Sequence, residues 1–120
     1  MDGTSREPLR RPFIKWAGGK TRLLRHLLPH VPATFRNFHE PFLGGGAMFF
    51  AVRGRATRSA YLSDLSEELV NAWQVVAELG DELAAQLKPF LEQDSEDFYY
   101  SLRPQTPEDR VERACRFLYL

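Results

Sequence analysis

The most informative segment of this 120-residue chain is Glu40-Pro41-Phe42-Leu43-Gly44-Gly45-Gly46-Ala47-Met48-Phe49-Phe50. An acidic residue and a proline precede three glycines, and an apolar run follows them. This order predicts a strand, a tight turn and the start of a helix, with the backbone close to a ligand. Glycine permits positive φ and has no Cβ that would hold a ligand away. The first amides of the following helix lack intrahelical acceptors, so they can donate to a polar or anionic group.

Two strands are predicted around this turn, at residues 37–42 and 59–64. The second strand ends at Asp64, which lies 18 residues after Gly46. In βαβ nucleotide-binding units, a carboxylate about 20 residues beyond the glycines ends the second strand and binds ribose hydroxyls. A simpler alternative is that Asp64 caps the helix that begins near Ser66. The distance between the glycines and Asp64 favours ribose binding.

A second unusual segment covers residues 12–21 and reads Pro-Phe-Ile-Lys-Trp-Ala-Gly-Gly-Lys-Thr. Its Gly-Lys-Thr ending is similar to that of a P-loop, which requires a glycine five positions before its Gly-Lys pair. Ile14 occupies that position, so we reject a nucleoside-triphosphatase. The segment is instead interpreted as apolar residues, a Gly-Gly turn and a lysine that precede an amphipathic helix over residues 21–28.

Composition limits the classes of protein to consider. Sixteen basic and sixteen acidic residues cancel, but the basic residues concentrate before residue 60 and the acidic ones after it. A basic half is a candidate surface for a polyanion, and solvated surface arginine is the alternative. The single cysteine excludes an internal disulfide, and no residue cluster suggests a metal. No signal peptide or long apolar segment occurs, which predicts a soluble cytoplasmic protein.

The remaining segments predict a basic flexible arm over residues 1–11 and several helices after residue 65. One helix spans 66–79 and ends at Gly80, and another spans 81–91, with Pro89 expected to end or kink it. A short helix begins at Ser95, and the last has Thr106 as its N-cap. The apolar segment 117–120 leads us to expect that this sequence is the front portion of a longer one.

Three motifs in this order closely resemble the Dam-type DNA adenine-N6 methyltransferases. They are residues 13–20 (Phe-Ile-Lys-Trp-Ala-Gly-Gly-Lys), 40–46 (Glu-Pro-Phe-Leu-Gly-Gly-Gly) and 62–64 (Leu-Ser-Asp). The resemblance covers residues 12–120. It implies an α/β, Rossmann-like class I methyltransferase fold that is incomplete, consisting of the cofactor-binding half with several helices. It also implies S-adenosylmethionine as cofactor and double-stranded DNA as partner.

The same resemblance implies which residues hold the cofactor. An N-terminal element would contact it, the glycine turn would surround its methionine part, and Asp64 would bind its ribose hydroxyls. The full implied set is Trp16, Ala17, Gly18, Lys20, Glu40, Pro41, Phe42, Gly44, Gly46 and Asp64.

One family motif is absent from this sequence. The family holds the flipped adenine near the sulfonium with an Asp-Pro-Pro-Tyr type motif. No Asp-Pro, Asn-Pro or Pro-Pro dipeptide occurs in the chain, so no catalytic residue is assigned. We therefore expect residues 12–120 to be a cofactor-binding part, truncated before the target-recognition and catalytic-motif regions and inactive alone. The remainder of the parent enzyme would bind DNA, together with the basic arm.

Two alternative functions fit some of the same residues. The first is a non-catalytic module that binds S-adenosylmethionine or DNA, which would not need the missing motif. An NAD-dependent oxidoreductase would explain the glycine turn and Asp64. The oxidoreductase is disfavoured because Phe49 stands where the third glycine of G-x-G-x-x-G is required. It also leaves the element around Lys20 without a role.

Overall fold

The computed structural model describes Ile14 and residues 20–120, and the chain divides into two compact units between Leu65 and Ser66. The predicted arm over residues 1–11 lies outside the described residues. The mixed α/β class is confirmed by two parallel strands and several helices. Among the described residues, no helix is both long enough and apolar enough to cross a membrane.

The first unit is built around a parallel strand pair. Helix α1 (Leu24–Leu27) is flanked by short 3-10 turns and precedes strand β1 (Phe35–Glu40). Helix α2 (Ala47–Val52) and a 3-10 turn then lead to strand β2 (Ala56–Leu62). Both strands begin and end about two residues before the predicted limits. The helix predicted over 21–28 is α-helical for only one turn.

The strands pair in parallel register, with Phe38 opposite Ala60 and Glu40 opposite Leu62. One face of β1 packs on α2, where the rings of Phe38 and Phe49 lie 6.3 Å apart. Because both strands run in the same direction, their carboxyl ends meet at one edge of the sheet. We call this the carboxyl edge, and it brings the glycine turn next to the segment that follows β2.

The second unit consists of helices. Helix α3 (Glu67–Glu92) begins at its N-cap Ser66, α4 (Glu96–Leu102) follows, and α5 (Arg110–Tyr119) packs against α3. The prediction of two helices that meet at Gly80 is confirmed in part: residues 67–92 form one element, but Leu79 has non-helical φ and ψ values of −132° and 35°, so two helices join at a kink just before Gly80. Pro89 does not end the second of these helices, which extends three residues past it.

Polar contacts fasten α5 to α3. The Asn71 amide donates to the Arg110 carbonyl over 2.9 Å, and Arg113 pairs with Glu68. This hydrogen bond to Glu68 raises the pKa of Arg113 above its ordinary value. Cys115 is fully buried, and burial raises the pKa of its thiol. The side chain of Asn71 therefore makes a contact within the second unit.

The residue that caps α5 provides a stability test. Thr106 was the predicted N-cap, but Asp109 holds that position, and its carboxylate accepts from the amides of Val111 and Glu112 at 3.1 and 3.0 Å. We expect Asp109→Ala to lower the free energy of unfolding by about 1 kcal/mol, because two helix-end amides lose their acceptor. Urea denaturation followed by circular dichroism measures the change. Thr106→Ala is the matched control, and an equal loss there would contradict the assignment of the cap.

Candidate functional site

The glycine turn takes the conformation expected from its sequence. Gly44 and Gly46 have φ values of 53° and 80°, which side-chain-bearing residues rarely adopt. Residues 43–47 are all buried, so the turn at the carboxyl edge is not an exposed surface loop. The Gly46 amide donates to the Leu43 carbonyl over 2.9 Å, which closes the turn before α2 begins.

Asp64 lies beside this turn because β2 ends next to β1. Its carboxylate Oδ2 accepts a hydrogen bond from the Gly44 amide over 3.0 Å. The alternative that Asp64 caps the next helix is wrong, since Ser66 is the N-cap of α3 and its hydroxyl accepts from the Leu69 amide. The carboxylate is only partly buried, so it can also meet a ligand at this edge.

Two backbone hydrogen bonds extend the strand pairing beyond the strands themselves. The Ser63 amide donates to the Glu40 carbonyl over 2.9 Å, and the Leu43 amide donates to the Ser63 carbonyl over 3.0 Å. These bonds tie the segment before Asp64 to both ends of the Glu40–Leu43 corner. The position of the carboxylate relative to the glycines is therefore set by backbone pairing.

An ion pair between Lys20 and Glu40 stabilises the segment that leads into the glycine turn. Glu40 is the last residue of β1 and is 8% exposed, and its carboxylate pairs with the Lys20 ammonium. The same ammonium donates to the Phe42 carbonyl over 3.1 Å. Lys20 therefore bridges a side chain and a backbone carbonyl on the two sides of Pro41. A carboxylate this deeply buried requires such a partner.

The remaining predicted residues occupy different positions. Pro41 and Phe42 are exposed, and 71% of Phe42 is accessible to solvent, so this corner presents an aromatic surface. Trp16, Ala17 and Gly18 lie outside the described residues. The structure thus brings together seven residues of the predicted set, namely Lys20, Glu40, Pro41, Phe42, Gly44, Gly46 and Asp64.

Sequence reasoning missed how these residues engage one another. Lys20 and Glu40 were both expected to contact a ligand, but in the structure they contact each other. The hydrogen bond between Asp64 and Gly44 was also not anticipated. Only the opposite charges of Lys20 and Glu40 suggested a pair, and at a sequence separation of 20 residues nothing favoured this pairing over others.

Comparison with known proteins decides the family. The family model for D12 class N6 adenine-specific DNA methyltransferases matches residues 16–120. The chain belongs to this family. The match includes the glycine turn, Asp64 and the element that ends at Lys20, so it covers the whole candidate site.

Curated relatives carry names that agree with the family. The chain is 35% identical over 116 residues to the type II methyltransferase M1.LlaDCHI of Lactococcus lactis subsp. cremoris, covering 92% of this chain and 40% of the relative. It is 38% identical over 112 residues to the type II methyltransferase M.CviBI of Paramecium bursaria Chlorella virus NC1A, covering 92% and 42%. It is 34% identical over 116 residues to the DNA adenine methylase of Haemophilus influenzae, covering 92% and 39%. The chain therefore spans about 40% of the length of these relatives.

Proposed function

We propose that this chain supplies the S-adenosylmethionine-binding part of a DNA adenine-N6 methyltransferase. The observation that carries the proposal is the carboxylate of Asp64 hydrogen-bonded to the Gly44 amide at the carboxyl edge. Ligands of open α/β sheets bind outside the carboxyl ends of the strands, which is where these residues meet. We further propose that β1, α2 and β2 are the first βαβ unit of a Rossmann-like sheet.

The residues at this edge fit such a cofactor. The Asp64 carboxylate would accept hydrogen bonds from the ribose hydroxyls. Gly44 and Gly46 would let the backbone approach the methionine part, because neither carries a Cβ. The exposed ring of Phe42 would offer an apolar surface. Trp16, Ala17 and Gly18 are proposed contacts from the N-terminal element on the strength of the family resemblance alone.

Lys20 and Glu40 would act differently from the other residues. Because they pair with each other and Lys20 also holds the Phe42 carbonyl, they would fix the corner against which the cofactor rests. Orienting a reactant in this way lowers the entropic part of the barrier to transfer. The bound cofactor would supply an electrophilic methyl group on its sulfonium, and the acceptor in the parent reaction would be the N6 amino group of an extruded adenine.

Isothermal titration calorimetry on the full 120-residue chain tests the proposal. We expect one S-adenosylmethionine to bind per chain and NAD to give no heat of binding at the same concentration. Since no Asp-Pro-Pro-Tyr type motif occurs in this sequence, we expect no transfer of labelled methyl groups to adenine by this chain alone. Binding of NAD instead of S-adenosylmethionine would overturn the assignment of the cofactor.

The absent motif also supports a second candidate, a module that binds S-adenosylmethionine without catalysis. It predicts the same calorimetric result. In the labelled-methyl assay only a positive result separates the two candidates. Incorporation of label into adenine above background would exclude the non-catalytic module. It would also contradict our expectation that the base-holding motif is required.

A further inference from the structure

The second unit contains a cleft that the proposed cofactor site does not use. The cleft lies between α3, α4 and α5, and its volume of about 500 Å³ is within the range of small-molecule sites. Its apolar wall consists of Ala85, Pro89, Phe90, Leu102 and Pro107. Four polar side chains complete the lining, and they decide what kind of molecule the cleft can hold.

The ring of Phe90 in this wall is held in place by other aromatic rings. Its centroid lies 5.7 Å from that of Phe98 and 6.1 Å from that of Tyr119, and both contacts are edge-to-face. Tyr119 is fixed in turn by its hydroxyl, which donates to the Asp94 carboxylate over 2.6 Å. The cleft therefore has a preorganised aromatic wall, and the face of such a ring attracts cations.

Glu112 contributes the charge that the cleft presents to a ligand. Its carboxylate is exposed and, within the described part of the chain, has no hydrogen-bond or ion-pair partner. A glutamate four residues before an arginine on a helix can pair with it. Here Arg116 instead donates through Nε to the Leu102 carbonyl over 2.9 Å and also donates to the Arg103 carbonyl. The guanidinium thus binds carbonyls at the end of α4 and leaves the carboxylate unpaired.

The two glutamines of the lining also present acceptors. Gln86 donates through Nε2 to the Glu82 carboxylate over 3.3 Å, and Gln105 donates through Nε2 to the Ser101 carbonyl over 3.1 Å. Because these bonds engage the amide nitrogens, the side-chain oxygens are the groups available to a ligand. Together with Glu112 they form a set of acceptors near an aromatic ring. Such a set complements a ligand that has N–H donors and a positive charge.

The charge of the surrounding unit favours the same kind of ligand. Residues 66–120 contain twelve acidic and five basic residues. Two of these cations pair with glutamates of the unit, and Arg103 lies over two tyrosine rings, 5.9 Å from each centroid. Since Arg116 binds carbonyls, the carboxylates of this unit greatly outnumber the cations that neutralise them. A multiply charged cation would therefore be attracted to the unit as a whole as well as to the cleft.

We infer that this cleft binds an aliphatic polyamine, a chain of methylene groups that carries several ammonium ions. One ammonium group would meet the Glu112 carboxylate, the glutamine oxygens and the Phe90 ring, while the methylene groups pack on the prolines of the wall. The other ammonium groups would face the surplus of carboxylates around the cleft. The volume of the cleft suits a whole small molecule, whereas a single lysine side chain of a partner protein would fill only part of it. The inference does not depend on the proposed function, which concerns residues 16–64.

Isothermal titration calorimetry of the full chain with spermidine at low salt tests the inference. We expect saturable binding of one spermidine per chain. Glu112→Gln should weaken this binding roughly tenfold, because it removes the charged acceptor and keeps the shape of the side chain. Glu96→Gln is the matched control and should bind like the parent chain. Glu96 is exposed and lies in the first turn of α4, as Glu112 does in α5, but it does not line the cleft.

A matched pair of ligands tests the chemistry without any substitution. Putrescine and the diol of the same chain length differ only in having ammonium or hydroxyl groups at their ends, and we expect the diamine to bind and the diol to give no heat. Phe90→Leu should weaken spermidine binding roughly threefold, because leucine keeps the wall apolar but removes the aromatic face. Circular dichroism establishes that each variant is folded. The ligand pair still decides the matter if Phe90→Leu unfolds the unit.

Several results would overturn the inference. Absence of spermidine binding would do so directly, and equal weakening by Glu112→Gln and Glu96→Gln would mean that only net charge matters. Equal binding of the diol and the diamine would make the cleft an apolar site. A lysine-rich peptide that binds about tenfold more tightly than spermidine, and loses this affinity in Glu112→Gln, would assign the cleft to a partner protein.

Calorimetry with S-adenosylmethionine keeps the two proposals separate. Glu112→Gln should leave the Kd for S-adenosylmethionine unchanged, because Glu112 is not among the residues proposed to hold the cofactor. Failure of the parent chain to bind S-adenosylmethionine would defeat the proposed function alone. Failure to bind spermidine would defeat the inference about the cleft alone.

Discussion

Replacing Lys20 by methionine is expected to lower the free energy of unfolding by about 2–3 kcal/mol. The substitution keeps most of the side-chain volume but removes the ammonium that pairs with Glu40 and binds the Phe42 carbonyl. Glu40 is 8% exposed, so its carboxylate would be left buried without its partner. The expected loss is smaller than for a fully buried pair, because the Lys20 side chain is 32% exposed.

A double variant separates loss of the pair from loss of packing. Glu40→Gln in the Lys20→Met background removes the unpaired charge, and we expect it to recover more than half of the lost stability in urea denaturation. Lys20→Arg retains a cation and should lose less than Lys20→Met. If the double variant is less stable than Lys20→Met alone, the buried charge is not the cause of the destabilisation.

Asp64→Ala is expected to raise the Kd for S-adenosylmethionine roughly 5- to 150-fold, which corresponds to about 1–3 kcal/mol of lost charge-assisted hydrogen bonding. The same change removes the acceptor of the Gly44 amide, so part of the effect could come from a disordered turn. Asp64→Asn resolves this, because its amide oxygen can still accept from Gly44 but carries no charge. Asparagine at this position should preserve stability and still weaken binding about tenfold.

The matched control for Asp64 lies two residues further along. Ser66→Ala removes the N-cap of α3 and should cost about 1 kcal/mol of stability without changing the Kd. Calorimetry measures the affinities, and urea denaturation measures the stabilities. If Asp64→Asn binds S-adenosylmethionine as tightly as the parent chain, Asp64 only supports the turn and does not hold the ribose.

The glycine turn was predictable because its constraints are local. Positive φ at Gly44 and Gly46 follows from a turn that few other residues could form. The helix after it and the strands on either side follow from short-range patterns, although each strand limit was displaced by about two residues. Asp64 was also found, because its spacing from the glycines is characteristic of a βαβ unit.

Helix ends were predicted less well, because several residues competed for each role. Thr106-Pro107 and Asp109 both offer a start for α5, and Asp109 caps it with two hydrogen bonds. Pro89 disfavours a helix locally, yet α3 continues three residues past it and packs against α5; at Gly80 the local pattern was informative, because the helix is kinked at Leu79. Packing of this kind outweighs the few kilocalories per mole by which one residue disfavours a helix.

By itself, the amino-acid sequence determined the α/β class, the glycine turn, the family and the residues around which a cofactor site is expected. These features depend on residue types at short, fixed spacings. Only the tertiary structure decided that Lys20 pairs with Glu40 and that Asp64 bonds to Gly44. Each of these contacts depends on the parallel register of β1 and β2 or on packing between segments that are 20 residues apart. Many partners are compatible with each residue, and no local sequence pattern specifies which of them the folded chain brings together.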